Sequence, residues 1–88
     1  MLMTPVTRLR KDAPGSLTAA GVAAFMTKRK LPRKTGTVTA FERGQIRIVP
    51  ERFVELYAEA IGSTTAKVLA AHAATLRLRD RKGGPFRQ

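Results

Sequence analysis

Carboxylates, imidazoles and thiols at fixed spacings are what would let an 88-residue chain do chemistry, and here they are scarce. His72 is the only histidine and there is no cysteine, so a metal site would have one imidazole and no thiolate. A Ser/His/Asp relay would need His72 beside one of only 6 acids. Three of those acids, Glu51, Glu55 and Glu59, recur at every fourth position and form one stripe on a helix. Such a stripe could gather a hard cation, but the simpler reading is the solvated side of an amphipathic helix. Gly83-Gly84 has no strand before it and makes no phosphate-cradling loop. These residues predict neither enzyme nor cofactor nor metal, and no small-molecule ligand is evident. They point to a binding protein.

The abundant chemistry is cationic. Lys and Arg number 17 and the formal net charge is +11. Residues 8 to 47 carry ten basic groups and two acids, residues 50 to 72 have a charge of −1, and residues 76 to 88 have +4. The densest run is Lys28-Arg29-Lys30-Leu31-Pro32-Arg33-Lys34. Such segregation predicts one basic face with the glutamate stripe turned away from it, and phosphate as its partner. An acidic membrane is the competing partner, but no segment joins its basic residues to a Trp- or Phe-rich apolar face. The apolar runs are too short to span a bilayer, and the first residues lack the basic and apolar stretches of a signal peptide. A cytoplasmic protein is therefore expected, in a bacterial nucleoid or a phage-infected cell. The absence of cysteine fits a reducing compartment.

These residues must be positioned by helices, because every long segment with a period reads helical. Thr4-Pro5 predicts an N-cap and first turn, and Pro14-Gly15 a stop. Ser16 or Thr18 caps a second helix to about residue 30, with Val22, Ala23 and Met26 inward; Leu31-Pro32 interrupts it. Thr35 is expected to cap a short third helix to Arg43, closed by Gly44. Residues 45 to 49 alternate like a strand but have no partner, so they read as a loop whose isoleucines plug the core. Pro50 opens a fourth helix that ends at Gly62. Ser63 or Thr64 caps a fifth, to roughly Arg81, with Val68, Leu69, His72 and Leu76 in a stripe. That stripe is a candidate dimer contact; the alternative is that it closes the core of its own domain. Residues 1 to 81 are expected to form one domain and residues 82 to 88 a mobile basic tail.

The third helix carries the functional signal. At about 100° per residue, Val38 and Phe41 share one side while Gly36, Thr39, Ala40 and Arg43 lie opposite. A small polar face lets a helix approach the floor of a major groove, where methyls meet thymine and hydroxyls meet base edges. The competing reading is a plain surface helix. The flanking basic run favours the groove, because cations beside a helix N-terminus clamp phosphates.

The segment Thr37 to Gly44, T-V-T-A-F-E-R-G, resembles the T-I-S-x-I-E-R-G pattern of Cro/C1-type helix-turn-helix proteins. That group takes in phage repressors, xenobiotic-response-element regulators and many antitoxins. Phe53 to Gly62 is similarly like the L-x-x-L-A-x-A-L-G that follows the family's recognition helix, and the likeness covers about residues 17 to 70. It implies an all-α, five-helix, lambda-repressor-like fold and a stand-alone domain that acts as a transcriptional repressor by occupying a double-stranded DNA operator as a homodimer. By the same resemblance Arg33, Lys34, Thr35, Gly36, Thr39 and Ala40 read bases. Arg43 and Arg47 hold phosphates, with Lys28, Arg29 and Lys30 of the basic run beside them. The chain departs from the family in a longer turn over residues 27 to 34, in Ala19 and Ala20 where a phosphate-binding Gln is common, and in a short first helix. Two alternatives of other classes are a nonspecific nucleoid-type DNA- or RNA-binding protein and an antitoxin-like adaptor whose main partner is a protein.

Overall fold

A computed structural model describes residues 3–14 and 17–81, and these form an all-α fold of five helices. No strand occurs among the described residues. Helix α1 spans Pro5–Asp12, α2 Ala19–Lys28, α3 Thr35–Glu42, α4 Glu51–Ile61 and α5 Thr65–Arg81. The expected tail, residues 82 to 88, and the candidate cap Ser16 lie outside the described residues.

Caps account for most of the helix starts. The Thr4 hydroxyl accepts from the Thr7 amide at 3.2 Å, with Pro5 in the first turn of α1. Thr18 accepts from Gly21 at 3.1 Å and Thr64 from Lys67 at 3.2 Å. Helix α3 corrects the expected cap. Its N-cap is Lys34, which makes no side-chain cap bond, and Thr35 is already helical. The Lys34 carbonyl accepts from Thr37 at 2.9 Å, so the helix begins one residue early and no side chain caps it.

Three helices end in the same motif. In α3 the Gly44 amide bonds to Phe41 O at 3.1 Å and the Gln45 amide to Ala40 O at 3.0 Å, with Gly44 at φ +78°. Gly62 closes α4 in the same way. Helix α2 stops at Lys28, two residues short of expectation, because Lys30 adopts φ +69°. The Lys30 amide then reaches Thr27 O at 3.1 Å and Leu31 reaches Met26 O at 2.9 Å. This is a Schellman closure with lysine where glycine is usual.

The core is centred on Phe41. Its ring meets Phe53 at 5.0 Å and Tyr57 at 5.2 Å edge to face, and stacks on His72 at 4.8 Å. Val22, Ala23 and Met26 of α2 and Val38 of α3 close around it, as the sequence predicts. Helix α4 is the central element, packing on α2 and α5, while α1 lies along α5 and α2 against α3. In the α3–α4 loop the isoleucines do not both plug the core. Ile46 is half-buried, its carbonyl 2.9 Å from His72 Nε2, whereas Ile48 is 91% exposed. Arg47 and Ile48 are both exposed, so the loop does not keep the alternation of a strand. No helix among the described residues is long and apolar enough to cross a membrane.

Candidate nucleic-acid interface

The inner side of α3 is fixed by more than apolar contact. Glu42 is buried and receives Arg10 Nε at 2.5 Å, Arg10 Nη2 at 3.1 Å and the Tyr57 hydroxyl at 2.5 Å. Arg10 also donates to Leu17 O at 2.9 Å. The side chains of the ion pair are only 10% and 4% exposed. The Arg10 guanidinium is pushed above its ordinary value by its hydrogen bond to Glu42. Burial first, and the bond to Glu42 second, push the Tyr57 phenol well up, so it stays a donor. Among the described residues no buried side-chain nitrogen or oxygen lacks a partner. Arg10 therefore belongs to the interior and not to the basic face in which its charge was counted. The signal was present in the spacing: Arg10 follows buried Val6 by one helical turn, and Glu42 follows buried Val38 likewise.

With that side anchored, the opposite side of α3 is left to the surface. Thr35, Gly36 and Arg43 are exposed, and Thr39 and Ala40 are half-buried between them. A Cβ added at Gly36 would have nothing within 4 Å. The Thr39 hydroxyl has no hydrogen-bond partner among the described residues. The six-residue connection from 29 to 34 brings the basic run to the N-terminus of α3. In it Lys34 is exposed, and Arg33 is half-buried with Nη1 donating to Pro32 O at 2.7 Å.

The candidate phosphate ligands fall into two groups. Lys28, Lys30 and Arg43 are exposed and form no ion pair among the described residues. Arg29 is paired with Glu59 and lies over the Phe25 ring at 5.5 Å, and Arg47 is paired with Asp80. These two exposed arginines already hold a carboxylate where a phosphate would sit. The Arg29–Glu59 pair also corrects the expected segregation, since the stripe of Glu51, Glu55 and Glu59 meets the basic loop at its C-terminal end. Glu55 is paired with Arg52. Among the described residues no group of three or more acids and histidines is placed to hold a metal ion.

The candidate dimer residues separate as well. Val68 and His72 are buried in their own domain, Leu76 is half-buried and Leu69 is 50% exposed. Thr75, which sequence reading passed over, takes the inward place instead, accepting from the Val6 amide at 3.3 Å. No model of a known protein family, no curated protein and no solved structure matches the chain, so the interface is read from its own geometry.

Proposed function

We propose that the domain is a helix-turn-helix regulator that binds double-stranded DNA with α3 in the major groove and represses transcription by occupying an operator. The observation that carries this reading is the two-sided character of α3. Val38, Phe41 and Glu42 are locked inside, while Thr35, Gly36, Thr39, Ala40 and Arg43 form a small, uncluttered outer face beside a cationic loop. Small side chains permit close approach to base edges, and the loop cations neutralise the flanking phosphates. Thr35, Gly36, Thr39 and Ala40 read bases with Arg33 and Lys34 at the groove edge; Lys28, Lys30 and Arg43 hold the backbone. Arg29 and Arg47 contribute only by exchanging carboxylate for phosphate.

Among the described residues Phe41, Phe53 and Tyr57 are buried in the core and Phe25 is half-buried beneath Arg29, so little aromatic surface is offered to single strands, which favours duplex over single-stranded nucleic acid. The domain acts as a homodimer, because one such helix makes few base contacts and paired half-sites multiply them. Exposed Leu69 and Ile48 favour this pairing. Leu69 shares a flank of α5 with Asp80 by helical spacing, and Asp80 holds the loop that bears Ile48.

Two substitutions test the assignment on a panel of duplexes that differ at single base pairs. Thr39→Ala flattens the preference among duplexes. Lys30→Ala weakens binding to every duplex by a common factor. The reverse pattern contradicts placement of α3 in the groove.

A further inference from the structure

Arg79 of α5 occupies a place that nothing in the sequence assigns. It crosses the C-terminal end of α3 and donates from Nη1 to Arg43 O at 3.3 Å. Gly44 makes room for this path: a Cβ there would stand 3.4 Å from Arg79 Cδ and 3.0 Å from Thr75 Cγ2, at a φ that already disfavours side chains. Arg79 is half-buried and spends one donor on the carbonyl, which leaves its remaining N–H groups available.

Beside it opens a cleft of about 540 Å³ between the N-terminus of α1 and the outer face of α3. Its lining includes Thr4, Thr7, Ala19, Thr39, Arg43 and Arg79. Its one carboxylate, Glu42, is buried and already neutralised by Arg10. The guanidinium groups of Arg43 and Arg79 therefore line a concave surface with no competing exposed acid. Guanidinium forks are the donors that suit a phosphodiester. The cleft also shares Thr39 and Arg43 with the proposed base-reading face, so a duplex seated on α3 would run its backbone past it.

We propose that this cleft is a subsite for one backbone phosphate of the bound duplex, held by Arg79 together with Arg43. The proposal rests on the DNA-binding reading above and adds α5 to the contact surface. Because neutralising one phosphate changes the slope of log K against log salt by about 0.9, the slope reports the contact independently of domain stability.

The test measures fluorescence anisotropy of one labelled duplex across a salt series with the full chain, Arg79→Gln, Arg79→Lys and Arg77→Gln. Arg77 is exposed and lies about 200° around α5 from Arg79, so it removes the same charge without touching the cleft. Arg79→Gln is expected to lower the slope magnitude by about 0.9, with Arg79→Lys restoring it and Arg77→Gln leaving it as in the parent chain. An unchanged slope in Arg79→Gln, or an equal fall in Arg77→Gln, overturns the subsite while leaving duplex binding intact. Failure of the parent chain to bind duplex at any salt overturns the subsite and the DNA-binding reading together.

Discussion

At Lys30 stability and recognition pull in opposite directions. A side chain at φ +69° costs about 1 kcal/mol relative to glycine, yet the same residue is an exposed, unpaired cation at the edge of the proposed interface. Lys30→Gly is therefore expected to raise the unfolding free energy by about 1 kcal/mol in urea while weakening duplex binding; a variant that is both less stable and equally tight-binding contradicts this account. Tyr57 makes a prediction in pH. Its phenol is pushed above the ordinary value of 10.0 in the folded state, so the unfolded chain loses that proton first. The stabilisation is complete below pH 10 and falls as pH rises beyond it, by up to about 1.4 kcal/mol per pH unit. Tyr57→Phe removes this component, so denaturation curves of the two proteins should converge in stability between neutral pH and pH 11, starting from a less stable variant. Parallel losses in both proteins would mean that the phenol titrates normally. The spacing of Val38 and Phe41 made the inner side of α3 legible in the sequence. The φ of Lys30 was not, because lysine carries no signal for the left-handed region.

The helices were legible because their periods, prolines and threonine caps agree with one another, and four of the five begin where those residues place them. Helix α3 begins one residue early, since the choice between Lys34 and Thr35 depends on how the loop from 29 to 34 delivers the chain. Long-range polar contacts were the less legible part. Sequence spacing places Arg10 on the inner side of α1 and Glu42 on the inner side of α3, but only the packing of α1 and α4 around α3 brings Arg10, Glu42 and Tyr57 together. The proposed reading helix thus hangs on a buried ion pair, and breaking one partner leaves a buried charge. Glu42→Gln is expected to cost about 3–5 kcal/mol, a large share of the stability of a domain this size, and circular dichroism melts should show it. A change below about 1 kcal/mol, within the range of an exposed pair, would mean that water reaches Arg10 and that α3 is held by Phe41 alone. Arg29 and Glu59 link elements more loosely. Glu59→Gln removes the carboxylate that Arg29 must exchange for a phosphate, so duplex binding should tighten; affinity equal to that of the parent chain at every salt concentration would mean that Arg29 takes no phosphate.

For the whole molecule, the net charge of +11 overstates what a partner sees. Arg10 is internal, and Arg29, Arg47 and Arg52 are held by acids, so the cations without an ion pair among the described residues are Arg8 and Lys11 on α1, Lys28 and the loop before α3, Arg43, and those along α5. Composition could not reveal this redistribution, because three of these ion pairs join residues 30 or more positions apart. The same scale decides the dimer. With Val68 and His72 closed inside, Leu69 is the most exposed residue of the expected α5 stripe, and Leu69→Glu is expected to convert a dimer to a monomer in sedimentation while leaving the helical content unchanged. A dimer that survives this substitution must use another surface. The central claim is that α3 reads sequence. It is tested most directly by anisotropy of the DNA upstream of this chain's own gene against a scrambled duplex of equal length, repeated across salt. Both affinities should fall by about five powers of ten per tenfold rise in salt if about six phosphates are contacted, and the upstream duplex should remain the tighter ligand throughout. Equal affinity for the two duplexes at every salt concentration would contradict sequence reading and leave a charge-driven binder in its place.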